Sequence, residues 1–353
     1  MKKRTVIVFL LTVLLILCSS CGKGSKADAP LTTNQGGDGT GSSIQDTTMS
    51  SKKEDKQKSN DDFVLPAKGV RPVAVMIDNQ GSRVLPQGGL YKAQVIYEII
   101  VEGGITRLMP VFWGTAPKMI GPVRSSRHYF LDYAMENDAI YVHFGYSPQA
   151  RADIARFKIN NINGIFAGQV FWDITKDRGN WQDSYTSMEK VMTYAKKAKY
   201  RTTTDKTPNF TYNKNNTAIT RGLKAEKIEI HYSDDYMSGY SYDPLRQIYL
   251  RSRRGKPHME RNTGKQLTAE NIIIQIVPNH RIDGDNYDRQ QLGDVGNGNG
   301  WYITCGKAEK IKWSKISRTS PTYYTDLQGK RIMLNPGQTW IQVTPSNAKV
   351  TIN

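Results

Sequence analysis

Ala93-Gln-Val-Ile-Tyr-Glu-Ile-Ile-Val-Glu-Gly-Gly-Ile-Thr-Arg-Leu-Met-Pro-Val-Phe-Trp113 holds two β-rich runs joined at Gly103-Gly104. Two glycines between such runs predict a tight hairpin turn, because both can take positive φ without a Cβ penalty. If they are the two loop residues, facing partners carry numbers that sum to 207: Glu102 faces Ile105, Ile100 faces Arg107 and Glu98 faces Met109. One face then carries Val95, Tyr97, Ile99, Val101, Leu108 and Phe112, and is core. The other carries Ile96, Glu98, Ile100, Glu102, Arg107, Met109 and Val111, with Arg107 diagonal to both carboxylates. Alternation of ionisable and apolar groups predicts a partly covered face with a charged patch. Two readings fit it. One is a glutamate–arginine ladder that fixes strand register. The other is a lined cleft in which Arg107 grips an anion or a carboxylate acts as acid or base.

Working outward, residues 71–78 read as a strand ending at Asp78-Asn79. Gly121-Pro-Val-Arg-Ser-Ser-Arg127 opens a predicted helix running to about Met135, which puts Arg124 and Arg127 in its first turn. Positive charge there opposes the helix dipole unless a carboxylate or a bound anion lies nearby. Residues 139–147 form another predicted strand, with Tyr141 and His143 on one face, and 185–200 a helix with a solvated lysine side. Beyond Thr207-Pro208, short β-rich runs recur between turn signals without amphipathic helix. The expected class is therefore α+β: an N-terminal α/β mixed-sheet domain over residues 63–207, then a mainly antiparallel β-rich domain over 208–353.

The other end of the chain carries a different signal. Lys2, Lys3 and Arg4 precede an apolar run to Leu17, too short for a bilayer-spanning helix, and then Cys18-Ser-Ser-Cys21-Gly22. Small residues before Cys21 resemble the bacterial lipobox, with Cys18 standing where Leu is usual. The expectation is a signal peptide over 1–20 and lipidation of Cys21; an uncleaved anchor is the alternative. Residues 22–62 are Gly, Ser, Thr, Asp, Asn, Gln and Lys with hardly a large apolar side chain, the composition of a tether. Such a protein would be lipid-anchored in the cell membrane, facing the extracytoplasmic side, with Cys305 as its one free thiol and no internal disulfide. Formal net charge is +17, and +14 (17 − 3) without Lys2, Lys3 and Arg4. Outside a membrane that favours anionic lipid head groups, cell-wall polymers and wall-peptide carboxylates over nucleic acid, or else only aids solubility. No phosphate loop, nucleophile elbow or short-spaced metal pattern occurs, so no cofactor and no metal is expected; Asp283 to Asp288 lacks the closing Glu of a calcium loop.

Arg71-Pro-Val-Ala-Val-Met-Ile-Asp-Asn79, Ala93 to Arg107 and Gly121 to Arg127 resemble the YerB-like lipoprotein family of Gram-positive bacteria. Tyr249-Leu-Arg251 through Pro257-His258, Leu267-Thr-Ala-Glu-Asn271 and Leu334-Asn-Pro-Gly-Gln-Thr-Trp-Ile341 look like its C-terminal domain. The resemblance covers nearly all of the chain from about Phe63 and implies two domains and an envelope location. The family is of unknown function, so no activity is implied. Its members tend to carry Arg-x-x-Pro-His-Asn-x-Tyr where this chain has Arg178-Gly-Asn-Trp-Gln-Asp-Ser-Tyr185. Trp181, Gln182 and Asp183 replace Pro, His and Asn, so a reaction served by that histidine is not implied here, while Asp183 can still hydrogen-bond a ligand.

Asp78, Glu98, Glu102, Arg107, Arg124, Arg127 and His143 are expected to converge in one cleft. The favoured function is noncatalytic binding of an anionic cell-wall polymer or an envelope protein. The rival is a glycan-cleaving enzyme with Glu98 or Glu102 as general acid and Asp78 or the other Glu assisting. Glutamates at i and i+4 on a strand lie about 13 Å apart at the backbone, and Arg107 between them would disfavour a proton donor.

Overall fold

The computed structural model describes residues 63–177 and 182–353; the signal, Cys21, the tether and Trp181 lie outside the described residues. The fold is α+β, rich in strands, with three α-helices among the described residues: α1 (His128–Glu136), α2 (Pro148–Arg156) and α3 (Met188–Lys197). Ser147 caps α2 by accepting from the Ala150 N–H, with Pro148 behind it, and Ser187 caps α3 by accepting from the Lys190 N–H.

A twelve-stranded mixed sheet is the frame. From one edge it runs through Lys307–Lys315, Gly296–Thr304, Asn271–Val277, Thr339–Pro345, Val95–Ile100, Thr106–Phe112, Val73–Val75, Ile140–His143 and Asn161–Asn163. The expected boundary at 207/208 is therefore no break in this sheet: Thr339–Pro345 pairs in parallel with Asn271–Val277 on one side and with Val95–Ile100 on the other. Val95–Ile100, Thr106–Phe112 and Thr339–Pro345 are buried at every position, as strands covered on both faces must be. A second, antiparallel sheet of six strands includes Lys227–Ser233, Tyr236–Asp243, Ile248–Arg253 and Lys349–Ile352. Side chains from it, among them Tyr232, Ser238 and Arg251, reach Glu98 on the central hairpin.

The hairpin exists, but its register differs from the expected one. Glu98 faces Leu108, Ile99 faces Arg107 and Ile100 faces Thr106, so the numbers sum to 206. The loop has three residues, Glu102, Gly103 and Gly104, closed by a Val101 N–H to Ile105 carbonyl bond of 2.8 Å. Both glycines take positive φ, 65° and 69°. A Cβ on Gly104 would lie 2.6 Å from Ser233 Cβ, so contact with the second sheet helps fix this turn. A one-residue slip turns a strand over. Glu98 and Thr106 consequently share one face, and Arg107 lies on the other with Tyr97 and Ile99.

The helix start also differs. Residues 120–126 are extended rather than helical, held by Arg124 N–H to Met76 carbonyl (2.9 Å) and Ser126 N–H to Gly145 carbonyl (3.0 Å). Helix α1 begins at His128, so Arg127 is its cap residue and Arg124 precedes it.

Candidate functional site

Five of the seven residues expected to converge do so, in a chain of alternating charge. Asp78 stands directly across the sheet from Arg107. Arg124 Nε lies 3.1 Å from Asp78 Oδ2, close enough to pair but not aligned as a hydrogen bond. Arg107 donates to the Ser125 carbonyl (2.5 Å) and lies 3.6 Å from Glu102 Oε1, while its Nε has no hydrogen-bond partner. Glu102, on the hairpin tip, is gripped by Arg127, which donates through Nε to Oε2 at 2.8 Å and through a second nitrogen to Oε1. The order is thus Arg124, Asp78, Arg107, Glu102, Arg127.

Three guanidiniums against two carboxylates leave a net +1 (3 − 2) in a largely desolvated row. Burial lowers the Arg124 pKa to about 10, with Asp78 resisting and Arg107 adding to the fall. Burial likewise pulls Arg127 down to about 10, with Arg289 assisting. Both stay charged at neutral pH, and both sit where further negative charge is favourable. Asp78 and Arg107 are almost fully buried, whereas Arg124 keeps 22% of its side chain exposed and Glu102 25%. Arg124 is thus the partly exposed outer end of this row.

Glu98 is not part of it. It is wholly buried on the opposite face, where Oε2 receives Arg251 at 2.6 Å and Oε1 receives Thr106 Oγ1 (2.7 Å) and Ser238 Oγ (2.8 Å). Arg251 also donates to Tyr240 (2.5 Å) and to His258 Nδ1 (3.0 Å), and lies over the Trp340 ring at 4.0 Å. Burial alone would lower the Arg251 pKa; Glu98 beside it reverses that and raises it. Burial, then the charges of Arg251 and Arg253, push His258 well down, so it is neutral and donates from Nε2 to Gln87 Oε1 at 2.6 Å. The carboxylate that was a candidate acid therefore has its oxygens filled and no route to solvent.

His143 is also sealed. Its Nδ1 is 2.7 Å from the Gly145 carbonyl and its Nε2 3.0 Å from Asn161 Oδ1, and burial lowers its pKa. It supports the row only indirectly, stacking near Tyr141, whose hydroxyl donates to Ser126 Oγ at 2.8 Å. Asp183 is buried and accepts from Thr175 within its own loop. Sequence reasoning missed Arg251, Ser238 and His258 as partners of the central hairpin, although Arg251 and His258 fall in a stretch that the family resemblance singled out. Among the described residues no group of three or more His, Cys, Asp or Glu is placed to hold a metal ion, and no helix is long and apolar enough to cross a membrane.

Residues 64–201 match the family model "Protein of unknown function (DUF3048) N-terminal domain", and residues 228–341 match the corresponding C-terminal domain. Over 282 residues the chain is 30% identical to "Putative lipoprotein YerB" of Bacillus subtilis (strain 168), covering 78% of this chain and 81% of that one. The crystal structure of the YerB protein from Bacillus subtilis superimposes with a TM-score of 0.70 at 29% identity, covering 80% of this chain and 94% of that one.

Proposed function

This chain belongs to the DUF3048 family, and from that premise we propose that it is a lipoprotein, anchored through Cys21 on the extracytoplasmic side of the membrane, that binds an anionic cell-wall polymer without cleaving it. The observation that carries the reading is the charge row: three arginines, two carboxylates, and Arg124 partly exposed at one end. A phosphate or carboxylate placed against Arg124 would balance the surplus charge, and guanidinium geometry suits either group. Cleavage fits less well. Glu98 is shut in by Arg251, Glu102 is held on both oxygens by Arg127, and Asp78 is buried beside Arg124. Their oxygens face arginines inside the protein rather than an open cleft.

The experiment is to incubate residues 63–353, which contain every strand and helix described, with purified cell-wall sacculi across a salt series. Retention that falls with salt, falls further in Arg124→Gln, and releases no soluble fragments is expected. Released fragments would replace binding by hydrolysis. One feature supports a protein partner instead: Ile165 (55% exposed) and Phe166 (75% exposed) form an apolar pair near Ser125, with Ile165 and Ser125 both flanking Gly145. No retention on sacculi, with capture of an envelope protein lost in Phe166→Ser, would favour that reading.

A further inference from the structure

Away from the charge row, a cavity of about 370 Å³ is lined by Tyr91 and Lys92, residues 265–268, Glu270 and Gln338, among others. Small-molecule sites span about 300–1,000 Å³. None of its lining residues belongs to the row. Its rim carries the half-open ring of Tyr91, with Lys92, Lys265 and Arg246 as cations around it. Two buried carboxylates, Glu260 and Glu270, line it as well.

Those carboxylates differ in how fully they are used. Glu260 accepts from the backbone N–H groups of Gly89 (2.8 Å), Tyr91 (3.3 Å) and Asn262 (3.0 Å) and from the Asn262 amide (2.7 Å), so it belongs to the frame. Glu270 receives the Gln338 N–H on Oε2 at 2.6 Å, with its own backbone N–H beside it, and no side chain among the described residues is seen to donate to it. It is only 7% exposed. Gly337 makes room for it: a Cβ there would lie 2.2 Å from Glu270 Cγ, on a backbone with φ of 149° that disfavours any other residue. Burial pushes the Glu270 carboxyl up to about 7, against the pull of the Gln338 N–H, its own N–H and Arg246, so near neutral pH it can accept or donate a hydrogen bond.

A simple anion would meet two buried carboxylates inside this cavity, and a simple cation would meet three positive charges at its rim. The lining therefore selects a ligand with neutral donors within and negative charge outside. We propose that the cavity binds an acidic saccharide. The apolar face of a sugar ring packs on Tyr91, its hydroxyl or acetamido groups bond Glu270 and the neighbouring Thr268, and its acidic substituent meets Lys92, Lys265 and Arg246. This site stands independently of the charge row.

Calorimetric titration of the full-length protein in detergent tests it with three probes. These are the disaccharide of N-acetylglucosamine and N-acetylmuramic acid, neutral diacetylchitobiose, and poly(glycerol phosphate) as an anion without a sugar ring. The acidic disaccharide is expected to bind, the neutral one about threefold or more weakly, and the polymer not to displace it. Tyr91→Ala and Glu270→Gln should each weaken binding by about tenfold and Lys265→Gln by about threefold, with thermal melting confirming that each variant is folded. Absence of disaccharide binding, or unchanged affinity in folded Tyr91→Ala and Glu270→Gln, overturns the assignment. Arg124→Gln should leave disaccharide affinity unchanged even where it reduces retention on sacculi. Loss of disaccharide binding in Arg124→Gln would move the ligand to the charge row and end the case for the cavity alone.

Discussion

Replacing Arg251 by Met tests whether the buried network around Glu98 joins the two sheets. The pair is fully buried on both sides at 2.6 Å, so the substitution strands a carboxylate in the interior. It also removes donors from Tyr240 and His258 and the cation over Trp340. Removing one partner of a buried pair costs about 3–5 kcal/mol. Thr106 and Ser238 still donate to Glu98, which argues for the lower half of that range. In a body of this size 1 kcal/mol corresponds to roughly 2 °C, so the melting temperature should fall by roughly 6–8 °C. Urea unfolding followed by tryptophan fluorescence suits the purpose, because Trp340 lies against the guanidinium. Glu98→Gln with Arg251→Met removes both charges and should recover about 2 kcal/mol relative to the sum of the single losses. A loss below about 1 kcal/mol in Arg251→Met, or strict additivity in the double variant, would refute the claim that charge pairing rather than packing governs this interface.

Stability should also respond to pH through Glu270, whose folded pKa is raised to about 7 from 4.5. Between those values the folded state holds a proton that the unfolded chain has lost, so stability is greatest below the window and declines as pH rises through it. The decline amounts to at most about 3 kcal/mol, and in urea titrations at pH 5 and pH 8 Glu270→Gln should abolish that share of it. The buried Asp132 and Asp294 carboxyls, which burial raises and which face each other, should add a fall of the same sign that persists in Glu270→Gln. Gly104→Ala should lose about 1–3 kcal/mol in the same assay, since the added Cβ meets Ser233 and the backbone is left-handed, while Gly103→Ala, with open space around it, should lose less.

Much of the charge row was legible because its members lie in three short runs whose strand and turn patterns are plain: Asp78, the Glu102 to Arg107 hairpin, and Arg124 to Arg127. The register was not. Gly103-Gly104 reads as a two-residue turn, whereas the loop has three residues and Gly104 lies close against Ser233, a contact that no local pattern announces. That single residue of slip sent Glu98 and Arg107 to opposite faces and removed Glu98 from the expected cleft. Arg251 is 153 positions from Glu98, so its role is invisible to any reading by neighbourhood. The start of α1 was misplaced for a related reason: the pattern at Pro122 suits a helix, but backbone bonds to Met76 and Gly145 hold residues 124–126 extended. The cavity beside Tyr91 draws on residues scattered from Phe63 to Gln338 and has no motif at all.

The position of Thr339–Pro345 bears on how the molecule comes into being. A chain is synthesised, and threaded through any export channel, from its N-terminus, so the Val95–Phe112 hairpin emerges long before the strand that must lie beside it. Until that late segment arrives, the Val95–Ile100 edge offers unpaired backbone groups and apolar side chains to whatever is nearby. The nascent protein thus passes through an interval in which it is open to chaperones, to proteases and to its own copies. A chain cut short before Thr339 would not leave that interval, so completion of the sheet doubles as a check that the whole polypeptide has been delivered.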